Sequence, residues 1–349
     1  MVRFSDIIKI KDRKEPEGQS RVKKVKEDKF RLSDSKIFKD KEEKQISIDT
    51  SLRSDADLVV TYYEKFIERA LGIRERVMND QGISPSPILS DLHYIIDKDL
   101  IDKLYEYAMS ARDDYEEMLT HTINVTFTSL KVGKGIGYDI KKLLRLGLAA
   151  FLENMGMYKI PDSILKRTGT LGKDEIKLIK GHPEISYEIL SRIGKRYKWL
   201  ADVALQVHER SDGSGYPSGL KGTEILEPAS IIGLVDTYMA MIKKRSYRDN
   251  YIQSDAIKSI VGASKGLFPP RIVKIFLNQI TLFPINSYIK LNNGSIGRVI
   301  STDKNQPLRP TIELLYDGLG NKMGDQQVVH LSDNPLLYID SSVNGSELS

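Results

Sequence analysis

The chain has 349 residues and no cysteine. Disulfides and thiolate metal sites are therefore excluded, and the absence fits a reducing cytoplasm. Any bound metal must rest on histidine, aspartate or glutamate. Histidine is itself scarce, at five residues, so each one is worth locating. Long hydrophobic runs are missing too. No uninterrupted apolar stretch reaches the ~18 residues that a membrane helix needs. The N-terminal MVRFSDIIKIKDRKEPE is too short in apolar residues, and too charged beyond them, to be a secretory signal. The expectation is a water-soluble, cytoplasmic protein with no membrane partner. Charge of one sign is also wanting. The formal net charge is +5, and much of that excess lies in the N-terminal tail. No basic-aromatic face accompanies it, so dedicated nucleic-acid binding is not expected.

What is present reads mainly as helix. Hydrophobic residues make up 40% of the chain, enough for a globular core, and the length predicts two to three domains at ~100–200 residues each. Residues 1–50 are dense in charge of both signs and predict a mostly disordered tail, because such a segment buries too little to offset its ordering entropy. From 51 to 110 the spacing of Leu58, Tyr62, Tyr63, Phe66, Ala70, Ile73 and Val77 predicts a helix. After a break at Pro85 and Pro87, a second helical stretch runs from Leu92 to Ala108. These two form an N-terminal helical module in which no ligand site is evident, and His93 reads as structural or surface. Residues 111–282 are again helical. From 283 to 340 the pattern turns to strands, with Asn293-Gly294 as a hairpin signal. This predicts a small β-barrel module of about five strands, resembling an SH3-like barrel, in whose last strand His330 sits. Residues 341–349 read as a polar tail.

The middle region carries polar residues at unexpected places: Glu117, His121, Glu153, Asn154, His182, His208 and Asp236. Three of the five histidines fall in this set. Glu117 and His121 share a helix face at four-residue spacing. Asp236 interrupts an apolar helix, where a carboxylate is costly unless paired or coordinated. Imidazole with carboxylate suits iron, manganese or zinc. At this stage the same residues also fit a scatter of individually satisfied polar groups. Residues 208–222, HERSDGSGYPSGLKG, join His208 to a glycine-rich loop that reads either as a long turn between helices or as a backbone that approaches a ligand closely.

A resemblance to a known family is carried, in order and spacing, by THTINV, AAFLENMGMYKIPDSIL, GHPEISYEIL, VHERSDGSGYPSGLKG, VDTYMAM and RSYR. Residues from about 113 to 282 resemble the HD-GYP family, bacterial metal-dependent phosphodiesterases of the HD superfamily. The resemblance implies a mainly α fold: an HD-type helical bundle with the N-terminal helical module and the C-terminal all-β module as extensions. It implies hydrolysis of cyclic di-GMP, or a related nucleotide, assisted by divalent iron or manganese. By position it implies metal ligation by Glu117, His121, Glu153, His182, His208 and Asp236, and nucleotide contacts from Gly215, Tyr216 and Arg245. Family habit adds GGDEF-type proteins as partners and leaves a homodimer open.

The chain departs from the family pattern at the residues that name it. Glu153-Asn154 stand where the catalytic His-Asp pair belongs. Glutamate keeps an oxygen donor, whereas a neutral amide bridges two cations poorly. Val207 replaces a second adjacent histidine, Met157 a frequent lysine, and Met239 an acid. The expectation is an altered, weakened metal site with slow turnover, or else an inactive protein that acts as a cyclic di-GMP receptor or docking regulator.

Overall fold

The structure is a computed structural model that describes residues 54–110, 115–167, 169–242, 260, 266–280, 283, 285–303, 306 and 308–343. The charged tail of residues 1–50 and the basic turn with Arg245 lie outside the described residues.

Helix α1 (Asp55–Met78) starts at a capping box, in which the Ser54 hydroxyl accepts from the Asp57 amide and the Asp57 carboxylate accepts from the Ser54 amide. The second stretch is two helices, not one: α2 (Ser86–Asp97) and α3 (Ile101–Ser110). Asp99 breaks it by adopting φ 51°, a left-handed conformation that apolar periodicity does not reveal. Helix α4 (Glu117–Ile136) is the centre of the bundle. It is buried from Leu119 almost without interruption to Gly133 and packs on α1, α3 and the following α5 (Ile140–Leu152). Thr120, Thr122 and Thr126 bond back along the helix, Thr126 to the Thr122 carbonyl at 2.8 Å. Gly137, at φ 89°, ends it.

The N-terminal helices share a core with the rest of the bundle. Phe66 of α1 meets Phe127 of α4 and Phe151 of α5 edge to face, at 5.1 and 5.6 Å between centroids. Helices α1 to α3 of the N-terminal helical module thus pack into the core of the bundle. A 3₁₀ turn (Met155–Lys159) follows α5, then α6 (Asp162–Leu165), α7 (Lys173–Lys180), α8 (His182–Ser191) and α9 (Lys198–Gln206). The glycine-rich loop leads to α10 (Glu227–Ile242), which packs on α4, as does α11 (Pro270–Gln279).

The C-terminal module is an antiparallel sheet of β1 (Tyr288–Leu291), β2 (Ile296–Ser301), β3 (Thr311–Tyr316), β4 (Lys322–His330) and β5 (Ile339–Val343), in the order β4-β3-β2-β1-β5. Asn293-Gly294 makes the β1–β2 turn, with Gly294 at φ 88°. The polar tail expected over 341–349 is contradicted at its first three residues. Residues 341–343 belong to β5, whose main chain pairs with β1, and an edge strand held by backbone bonds needs little apolar content. This is the small antiparallel all-β module that the sequence predicted, and no ladder joins β4 to β5 among the described residues. His93 is exposed, and His330 pairs with the Thr311 hydroxyl at 3.0 Å in an exposed position. Among the described residues, no helix is long and apolar enough to cross a membrane.

Candidate metal centre

Four segments far apart in sequence converge beside α4. His182 opens α8 and is fully buried. Its Nδ1 lies 2.7 Å from the carbonyl of Ile179. A carbonyl can only accept, so Nδ1 carries the proton and the Nε2 lone pair is left to point elsewhere. It points at His208, just beyond α9, with the two Nε2 atoms 2.9 Å apart. Burial pushes His182 down to about 4. Burial, and next the neighbouring His182, push His208 well below the usual imidazole range. Both rings are therefore neutral at pH 7, the state in which imidazole ligates a cation.

Glu153 faces this pair from the end of α5. It is buried, and its Oε1 accepts from the Asn154 side-chain amide. Its Oε2 is buried with no hydrogen-bond partner. Burial first, and then the charge of Asp236, push its carboxyl well above the usual range. One ligand atom each from Glu153, His182 and His208 lie within 4.8 Å of one another. An orphaned carboxyl oxygen and two facing neutral imidazoles form a donor set that fits a divalent cation, which would displace the proton from Glu153.

The other expected ligands are arranged differently. Asp236, buried in α10, bonds His121 Nε2 of α4 at 2.8 Å, and its second oxygen lies 4.0 Å from His208 Nδ1. Burial would raise its carboxyl, but the bond to His121 outweighs that and holds it below the ordinary value. Glu117 lies on the wall of a neighbouring cavity, outside the three-residue cluster. The six expected donors thus resolve into a triad, a His-Asp pair and one carboxylate on the cavity wall.

Two glycines let these segments meet. A Cβ on Gly156 would lie 2.0 Å from the His182 carbonyl oxygen, and one on Gly233 would lie 2.2 Å from that of Val207. The first brings the Glu153-Asn154 turn against α8. The second brings α10, with Asp236, against the chain leading to His208.

The expected nucleotide contacts sit otherwise. A Cβ on Gly215 would meet the Arg210 amide nitrogen at 2.3 Å, so its smallness serves packing of the loop on its own start. Tyr216 stacks on the His208 ring, 5.0 Å between centroids at 3°. One face of the phenol is therefore spent on orienting His208. Lys180 lies over the same ring at 5.4 Å. Arg245 lies outside the described residues.

Sequence reasoning passed over the two residues that hold this loop. The Glu209 carboxylate accepts from the amides of Ser218 at 2.7 Å and Leu220 at 3.0 Å. Arg210 is buried, donates to the carbonyls of Val207 and Glu209 and to the Thr237 hydroxyl, and lies over the Phe268 ring at 4.7 Å. It ties the His208 segment to α10 beside Asp236. The signal available was their adjacency to His208 in HER, but charged residues on a glycine-rich loop read as solvated.

A cavity of about 500 Å³ opens beside the cluster. His121 and Asn154, the hydrogen-bonded neighbours of Asp236 and Glu153, are part of its wall.

Residues 107–272 match the family described as HD domain, and residues 288–349 match the KOW domain associated with HD domain. The chain is 26% identical over 231 residues to the cyclic di-GMP phosphodiesterase PdeB of Borreliella burgdorferi, covering 66% of this chain and 61% of that protein. It is 32% identical over 218 residues to the cyclic di-GMP phosphodiesterase response regulator RpfG of Xanthomonas campestris, covering 61% and 54%. It is 35% identical over 167 residues to a cyclic di-GMP phosphodiesterase of Thermotoga maritima, covering 47% and 45%. The chain spans about half the length of the curated relatives it matches.

Proposed function

This chain carries an HD domain followed by the KOW domain that accompanies such domains, and from that premise we propose that it is a divalent-metal-dependent phosphodiesterase of cyclic di-GMP or a related nucleotide, working slowly through a single-ion site. The observation that carries the reading is the triad of Glu153, His182 and His208, with its buried orphan oxygen. Bound there, an iron or manganese ion would supply Lewis-acid polarisation of a phosphodiester. The chain's own residues do the rest. Asn154 holds one Glu153 oxygen so that the other faces the two imidazoles. The Ile179 carbonyl fixes the His182 tautomer. Tyr216, itself anchored by the Glu209-stapled loop, keeps the His208 ring in plane.

A second reading, an inactive cyclic di-GMP receptor or docking regulator, is favoured by two observations. His121 and Asp236 are hydrogen-bonded to each other at 2.8 Å, and Asn154 brings a neutral amide where a bridging carboxylate would serve a second cation. Both readings place the protein in cytoplasmic cyclic di-GMP signalling, with GGDEF-type proteins or a second copy as candidate partners. Metal analysis and a cyclic di-GMP hydrolysis assay on one sample decide. One ion or fewer per chain with slow turnover supports the enzyme, and one ion with nucleotide binding but no turnover supports the receptor. Two or more tightly bound ions with vigorous turnover overturn the single-ion proposal.

A further inference from the structure

The cavity beside the metal centre has an unexpected wall. Arg74 and Met78, from the last turns of α1, line it together with His121 and Asn154. Helix α1 lies wholly outside residues 107–272, the part of the chain that matches the HD domain, and its sequence reads as core helix without a ligand site. The rest of the wall exposes mostly apolar surface, with the carboxylates Glu116, Glu117 and Asp162 set among it. Met118 and Met157 join Met78, with Ile160, Leu165 and Ile179 behind them. Unbranched thioethers adapt to flat aromatic faces. A volume of about 500 Å³ is in the range of small-molecule sites, where a few polar groups on apolar walls set orientation.

Three cations stand on this wall: Arg74, Lys159 and Lys166. Lys159 is directed to Asp80 at 2.7 Å, a residue outside the cavity, and Lys166 to Asp162 within its own turn of helix at 2.5 Å. Arg74 is the least exposed, with 26% of its side chain accessible, and it pairs with the more exposed Glu116. Its planar fork is suited to phosphate oxygens, to which it can donate two bonds at once.

We propose that α1 forms part of the ligand site: Arg74 is a specificity-determining residue that binds a phosphate of a nucleotide whose planar base lies among Met78, Met118 and Met157. The inference rests on the phosphodiesterase reading for the identity of the nucleotide, but not for the anion site itself. On ligand entry the guanidinium exchanges Glu116 for phosphate. The N-terminal helices then do more than cover the bundle, since they complete the cavity that the HD domain leaves open.

The test is calorimetric titration of cyclic di-GMP, and separately of inorganic pyrophosphate, into the full chain and three variants, with metal content and thermal melting measured on each. Arg74→Gln should weaken cyclic di-GMP at least tenfold at unchanged metal content, and Arg74→Lys should recover part of that loss. Glu116→Gln breaks the same ion pair but leaves the guanidinium, so it should bind as wild type or more tightly. Arg74→Gln binding within twofold of wild type would overturn the proposal. So would equal weakening by Glu116→Gln, which would mark the ion pair as structural. If wild type binds no cyclic di-GMP, the phosphodiesterase reading falls. In that case pyrophosphate binding lost in Arg74→Gln would still uphold the anion site, and no pyrophosphate binding would overturn it as well.

Discussion

Replacing Glu153 by glutamine should stabilise the metal-free protein and remove its response to metal. In the metal-free fold, Glu153 Oε2 is buried without a partner, and a buried unsatisfied polar group costs about 1–3 kcal/mol. Glutamine keeps the oxygen that accepts from Asn154 and puts a neutral amide in place of the partnerless oxygen. The chelated variant should therefore exceed chelated wild type by about 1–3 kcal/mol in urea denaturation. With metal the gap closes or reverses. An ion at about 100 times its dissociation constant stabilises wild type by about 2.7 kcal/mol, and the variant, lacking the anionic donor, gains little. Glu153 also gives the metal response a pH dependence. Its carboxyl is pushed up by burial and by Asp236, so in the absence of a cation the folded state holds a proton that the unfolded state releases. The metal-free protein loses stability as pH rises above the ordinary carboxylate range, and Glu153→Gln should flatten that loss. A chelated variant less stable than wild type, or equal metal-induced shifts in both, would refute the assignment of Glu153 as a ligand.

Three further outcomes follow from the same geometry. Gly156→Ala places a Cβ 2.0 Å from the His182 carbonyl oxygen, and should cost about 1–3 kcal/mol with loss of bound metal, read by urea melts and metal analysis. Arg210→Gln leaves the Val207 and Glu209 carbonyls short of a buried charged donor, and should cost about 1.5–3 kcal/mol by the same melts. Asp102 is a pH probe remote from the site. Burial alone would raise its carboxyl, but bonds from Lys131 and Lys134 outweigh that and hold it at about 2. Its contribution is present above pH ~4 and lost as pH falls towards 2. Partial exposure reduces it to about 1 kcal/mol, measured as the difference between wild type and Asp102→Asn across that window.

The helices were legible in the sequence because each buries one stripe, and a stripe is a local pattern. Asp236 was legible for the opposite reason, as a carboxylate where the pattern allows none. The splitting of the donor set was not legible. Spacing along the chain shows that Glu153, His182, His208, His121 and Asp236 are all available, but not that His121 reaches Asp236 while Glu153 reaches the other two. The contacts at Gly156 and Gly233 are of the same kind, since a glycine inside a turn or helix gives no sign of which distant carbonyl it admits. Asp99 escaped because the apolar stripe of α2 continues in register into α3. Strand β5 escaped because its pairing is made by backbone, which every sequence has. Arg74 was hidden by its setting, one charge among several at the end of an amphipathic helix whose other face is core.

The bond between His121 and Asp236 joins residues 115 positions apart. Closing a loop of that length comes late, after local helices and their first packing contacts have formed. The cluster at Glu153, His182 and His208 depends on the same closure, because α10 and the chain leading to His208 must already be side by side. A cation therefore finds no complete site in the folding transition state. It should slow unfolding while leaving the refolding rate unchanged. In a chevron measured with and without manganese, only the unfolding limb should move. The metal would then govern how long the assembled bundle lasts, and the chain alone how fast it is reached.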